Sequence, residues 1–218
     1  MEDIQTKICS AFLDVTFSSP QANLDFDEYL LELSNPSRIL RIWESKEYFV
    51  VMGRNSDESD LNLPAIEAVK IPVLRRKSGG GTVLQGPGCL NYTFVSDLFP
   101  QVGSVKGAFE WVLSRLRMVV KEVLGMETEV KGSSDLCLGN RKFSGNAQRR
   151  RGNRFYVHGT ILYDFDLSLM DRFLLLPKTR PDYRKDRSNQ NFLINIANLK
   201  EKKGNFVRAM AFYFLEKR

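Results

Sequence analysis

A chain of 218 residues is long enough for one substantial core, and its hydrophobic fraction of 43% and charged fraction of 27% are those of an ordinary folded protein. That composition excludes a disordered or fibrous chain. With no apolar run near the ~20 residues of a membrane helix, and no basic start and apolar centre of a signal peptide in residues 1–21, a cytoplasmic location without membrane contact is expected.

The net charge of +6 gathers in Arg141, Lys142, Arg149, Arg150, Arg151 and Arg154 and again in residues 178–187. Such clustering implies an anionic partner but does not choose among nucleotide, nucleic acid and an acidic protein surface. Cys9, Cys89 and Cys137 are odd in number and widely spaced, which supports neither a disulfide framework nor a zinc site.

Taken in chain order, Leu24, Phe26, Leu30, Leu31 and Leu33 recur at helical spacing among acidic residues and predict an amphipathic helix ending near Asn35 and Pro36. Residues 39–43 and 48–52 are β-rich runs separated by a polar turn at Glu44 to Glu47, which predicts a hairpin. Residues 71–76, 82–84 and 90–95 are further strands, interrupted by loops at Ser78-Gly79-Gly80-Gly81 and Gly86-Pro87-Gly88. Val105, Phe109, Val112, Leu116, Val119, Val120 and Val123 share one stripe of the longest helix, with Gly125 as its stop. Residues 127–131, 135–138, 141–149 and 155–163 read as strands joined by glycine turns, and a polar, Pro-punctuated tail follows. Runs of strands separated by isolated helices predict an α+β fold, in one domain spanning 1–218.

Two stretches carry chemistry. In Arg75-Arg76-Lys77-Ser78-Gly79-Gly80-Gly81-Thr82, three glycines let the backbone approach a ligand and turn N–H groups toward an anion, while Arg76 and Ser78 add directed donors. Known nucleotide fingerprints fail here: a dinucleotide loop would need glycine where Leu84 stands, and no P-loop exists. In the second stretch, 134–148, strand alternation predicts Lys142, Ser144 and Asn146 on one face and Phe143 on the other. A lysine so placed can neutralise a phosphate and a carboxylate together, which suits attack of one on the other. Taken alone, a glycine run is ordinary loop punctuation and a lysine is ordinarily a solvated surface residue.

The motifs RRKSGGGTV, SDLCLGNRKFSGNAQRRR and HGTILYDFDL, with WESKEYFVVMGRN, GPGCLNY and PDYRKDRSNQNFLIN, resemble the lipoate–protein ligase A family of the biotin/lipoate ligase superfamily, over residues 23–195. The resemblance implies a central mixed, largely antiparallel sheet flanked by helices, similar to the catalytic domains of biotin ligases and class II aminoacyl-tRNA synthetases. It implies an ATP-dependent enzyme that makes lipoyl-adenylate and passes the lipoyl group to a lysine of acidic lipoyl-domain proteins, such as the acyltransferase subunit of 2-oxo acid dehydrogenases or the glycine cleavage carrier protein. Lys142 would be the catalytic lysine on the acyl carboxylate and the α-phosphate. Arg76, Ser78, Gly79, Gly80, Gly81, Thr82, Val83 and Leu84 would hold the acyl-adenylate and its phosphate. Asp135 would meet the nucleotide or its magnesium, Gly145 and Ala147 would let the ligand lie close to the strand, and Asn91 would support the glycine loop. The chain departs from many members at Gln85 and at Val157-His158, where histidines are common, and a structural role is expected for His158. Residues 197–218 are too short for the accessory C-terminal domain of longer ligases, so this is expected to be a short form, with a separate accessory subunit left open.

An octanoyltransferase on the same fold needs a cysteine nucleophile. No cysteine follows Cys137 and none lies between Leu90 and Leu136, so the transferase is the alternative, with Cys89 its residual candidate. A nucleic-acid-binding module would interleave more aromatics with its charges than Phe143, Phe155 and Tyr156. The arginine turn at 149–154 is instead expected to face the acidic surface of a lipoyl domain.

Overall fold

The computed structural model describes residues 9–216. A seven-stranded sheet runs in the order β1 (Ser10–Asp14), β2 (Arg38–Trp43), β6 (Cys89–Asp97), β10 (Arg154–Leu162), β9 (Arg141–Arg151), β8 (Asp135–Leu138) and β7 (Glu129–Lys131). Only β1 and β2 are parallel; every other neighbour pair is antiparallel, so the mixed, largely antiparallel α+β architecture is borne out. A second sheet of three strands, β3 (Phe49–Met52) between β4 (Val73–Arg75) and β5 (Val83–Gln85), packs on it.

Each face of the large sheet is covered for a reason visible in the sequence. The stripe predicted over 105–124 is helix α3 (Val105–Leu124), started by the Ser104 side chain, which accepts from the Gly107 N–H, and ended by Gly125 at φ +71°. Val112, Leu116, Val119 and Val120 bury against Leu90, Tyr92, Phe94 and Val157, whose alternate positions turn them to this face. On the opposite face lies α1 (Pro20–Glu32), where Leu30 and Leu31 pack on Ile39, Val95 and Tyr156, and Leu24 on Trp43, Phe49 and Val51. Helices α2 (Leu63–Val69), α4 (Ser168–Phe173) and α5 (Asn189–Phe192) close a further cluster around Leu84, Cys89 and Leu162.

Two expectations fail. The runs at 39–43 and 48–52 do not form a hairpin: β2 pairs with β1 and β6, and β3 pairs with β4 and β5. Both strands are buried along almost their whole length, so each needs partners on two sides and the polar turn serves only to change sheets. The tail after residue 195 is not merely polar. It holds α6 (Leu199–Ala211) and a π-helical turn (Phe212–Glu216), whose Phe206, Met210 and Phe214 complete the core beneath α3. Lysines flank these apolar residues and hide the helical period.

Candidate active site

On the α1 side of the large sheet the register aligns Gly145, Thr160, Asn91 and Trp43 in one row across β9, β10, β6 and β2. All four line a cavity of about 330 Å³, walled by Leu84 of β5 and by the segment after α4 that carries Pro177 and Arg180. Three interstrand steps make that floor about 14 Å long.

At one end stands Lys142, which a bulge places there. Leu136 pairs with Ser144 and Cys137 with Lys142, so Phe143 is left without a cross-strand partner and the alternation of β9 slips by one. Beyond the bulge, Ser144 and Asn146 stand on the α3 face, where Asn146 Oδ1 accepts from the Tyr92 hydroxyl at 2.5 Å. Lys142 keeps the cavity face together with Gly145 and Ala147, and the expectation that Ser144 and Asn146 share its face is corrected, although both residues also border the cavity. Lys142 Nζ pairs with Asp135 Oδ1 at 2.7 Å, with both side chains partly buried. A Cβ on Gly145 would lie 2.6 Å from that Nζ, so only glycine lets the ammonium rest against the strand.

Asp135 Oδ2 accepts from the Tyr183 hydroxyl at 2.7 Å. Burial and the Asp135 carboxylate together raise the pKa of that phenol, which therefore stays a donor. Tyr183 lay inside the motif PDYRKDRSNQNFLIN, where nothing in the spacing marked it out. Asp135 is one carboxylate, and among the described residues no group of three His, Cys, Asp or Glu could hold a metal. The residues therefore fit a magnesium only if it arrives on a nucleotide, since this ion is usually bound through one or two carboxylates plus substrate phosphates.

The glycine loop forms the side wall. Arg76 Nη2 donates to the carbonyls of Gly79 and Gly81 at 2.7 and 2.9 Å, and Ser56 Oγ donates to that of Gly80 at 3.3 Å. Among the described residues the N–H groups of these three glycines and of Thr82 donate to no protein atom. The loop thus turns its carbonyls inward and leaves a row of donors, as an anion cradle requires. Burial lowers the Arg76 pKa to about 10, which leaves the guanidinium charged at neutral pH.

Arg76, Gly80, Gly81, Thr82, Val83, Leu84, Asn91, Asp135, Lys142, Gly145 and Ala147 all line the cavity, whereas Ser78, only 1% exposed, and Gly79 stand behind its wall. Asn91 does not support the glycine loop. Its Nδ2 meets the Cys89 carbonyl and its Oδ1 accepts from Thr160, which in turn accepts from Gln85 Nε2 at 2.6 Å. Asn91 therefore ties the cavity floor to β5.

The arginine turn is engaged internally and does not form the free cationic face expected of it. Arg149 pairs with Glu28, Arg151 with Glu32 and Arg154 with Asp97, while Arg150 donates to the carbonyls of Val102, Gly103 and Ser104. No cysteine lines the cavity. Cys89 is buried, and burial raises its pKa far from the thiolate range a nucleophile needs.

Residues 19–212 match the family model described as the lipoyl protein ligase A/B catalytic domain. The lipoate-protein ligase LplJ of Bacillus subtilis is 28% identical over 84% of this chain and 54% of its own length. This chain thus spans about half the length of the curated relatives it matches. Among solved structures, a bi-partite lipoate protein ligase from the archaeon Thermoplasma acidophilum superposes with a TM-score of 0.78 at 19% identity, covering 94% of this chain and 83% of that one. A lipoate-protein ligase A bound with ATP gives 0.75 at 20% identity, covering 94% and 85%.

Proposed function

The chain belongs to the lipoyl protein ligase A/B catalytic domain family, and from that premise we propose that it activates lipoate with ATP and transfers the lipoyl group to a lysine of a lipoyl-domain protein. One observation carries the choice: the cavity presents a buried-edge ammonium, Lys142, at the end of a long floor, and holds no thiol that could carry the acyl group as a thioester. A thioester-forming octanoyltransferase lacks its nucleophile here.

In this reading the acyl chain lies along the row from Gly145 toward Trp43, with its carboxylate beside Lys142. A carboxylate oxygen attacks the α-phosphorus, the bond to pyrophosphate breaks, and lipoyl-adenylate remains. The acceptor lysine amine then attacks the acyl carbon, and AMP leaves with the carbonyl–phosphate oxygen. Lys142 offsets the negative charge on the carboxylate and α-phosphate oxygens in the first step and on the tetrahedral oxygen in the second. The bare N–H groups of Gly80, Gly81 and Thr82 hold phosphate oxygens. Asp135 aims Lys142 and offers one carboxylate to a magnesium carried on the nucleotide, which when bound neutralises phosphate charge. The exposed Lys77, Lys178 and Lys185 are among the cations that would meet an acidic acceptor in this reading.

The test is mass spectrometry of an apo lipoyl domain incubated with the enzyme, ATP and lipoate, against the same domain with octanoyl carrier protein and no ATP. Lipoylation only in the first mixture is expected. Acylation only in the second would replace ligation with transfer.

A further inference from the structure

Three side chains that the proposed chemistry does not use form a continuous chain, running from Ser78 behind the glycine loop to His158 and Asp27, which line the cavity. Ser78 Oγ lies 2.7 Å from His158 Nε2 and 3.0 Å from Arg76 Nε. His158 Nδ1 lies 3.4 Å from Asp27 Oδ2, and Asp27 Oδ1 accepts from Arg41 at 2.7 Å. Serine, histidine and aspartate in this order have the composition of a hydrolytic triad. The surroundings exclude that role: Ser78 is 1% exposed and outside the cavity lining, and its oxygen already accepts from a guanidinium. A hydroxyl so placed meets no substrate.

The hydrogen-bond directions follow from the donor inventory. Arg76 Nε can only donate, so Ser78 Oγ accepts there and keeps its own proton to give to His158 Nε2 or to the Tyr156 hydroxyl oxygen. In the tautomer that accepts from Ser78 at Nε2, the ring proton sits on Nδ1 and faces the Asp27 carboxylate. Asp27 is in turn fixed by the buried Arg41. The same Arg76 whose Nε is set by Ser78 turns the Gly79 and Gly81 carbonyls inward through its Nη2. We propose that His158 is a positioning residue for acyl-adenylate binding: by accepting from Ser78 it holds Arg76 in the orientation that leaves the glycine-loop N–H groups facing the ligand. This inference rests on the ligase reading and adds to it a role for the single histidine.

Two substitutions separate the parts of the chain. His158→Gln keeps a polar atom near the Nε2 position and can accept from Ser78, whereas His158→Asn keeps one near Nδ1 and reaches only Asp27. Amide hydrogen exchange of the free protein reads the lock without any ligand, at the Arg54 and Arg76 N–H groups, which bond to the carbonyls of Ser78 and Met52. Calorimetry with a stable acyl-sulfamoyl adenosine reads its consequence, with circular dichroism as the folding control. His158→Asn is expected to speed both exchange rates and weaken the analogue about tenfold, the loss of one hydrogen bond to a group tied to a charge; His158→Gln stays within about threefold of the natural protein. Equal exchange and equal affinity in the two variants, or faster exchange with unchanged affinity, would overturn the positioning role. Failure of the natural protein to bind the analogue would overturn the ligase reading instead.

Discussion

At the scale of single residues, most of the proposed chemistry falls on Lys142. Its ammonium is held by Asp135 at 2.7 Å and rests against Gly145, so it is aimed before substrate arrives. Lys142→Ala should lower pyrophosphate release and lipoyl transfer together by about 10²–10³, the usual loss when one preorganised electrostatic donor is removed. Lys142→Arg should restore little, because a planar guanidinium does not fit a compact ammonium site over a strand. Both rates are measured separately, and near-natural values in both for Lys142→Ala would remove the lysine from the mechanism. The cysteines give the opposite expectation. Cys89 packs beside Leu162 and Phe165, and burial raises its pKa, so Cys89→Ala should change turnover by less than about twofold. A loss of several orders of magnitude in that variant with the fold intact would restore the transferase reading.

At the scale of elements, the bulge in β9 decides which side chains enter the cavity, and it marks the limit of what alternation predicts. A strict period of two placed Phe143 opposite Lys142 correctly, then carried Ser144 and Asn146 to the wrong face, because one unpaired residue reverses every position after it. The long helix, the four late strands and the glycine loop were legible, since each has a local signal: a stripe with a cap, β-rich runs with glycine turns, a triple glycine. The partition of β2 and β3 between two sheets, the help of Asp27 and Tyr183 and the engagement of the arginine turn were not, for they arise from pairing between distant residues. The glycine loop's shape also depends on a distant partner, because a Cβ on Gly53 would overlap the Gly80 carbonyl. Gly53→Ala should therefore push the loop off its wall and raise the KM for ATP about tenfold or more while leaving the circular dichroism spectrum unchanged. An unaltered KM would show that the loop's donors do not bind the nucleotide.

At the scale of the whole molecule, the large sheet separates two jobs: its α1 face carries the cavity and its α3 face carries most of the core. Helix α6 lies wholly on the second side, where Phe206 is fully buried between α3 and the sheet and Phe214 meets Phe94 and Trp111 edge-on. Truncating such a ring in a packed interior loses its transfer energy and leaves a cavity, together about 3–5 kcal/mol. Because the native state of a domain is stabilised by only about 5–15 kcal/mol, Phe206→Ala should take away a large share of it. No cavity-lining residue comes from α6, so the loss should appear in stability and not in chemistry. A urea titration should show the midpoint lowered on the order of 1–2 M with little change in slope. At a temperature where the variant is fully folded, kcat and both KM values should match those of the natural protein. A reduced kcat at an unchanged urea midpoint would mean that the C-terminal helix acts on the reacting end of the cavity through the sheet, and the division of the two faces would fail.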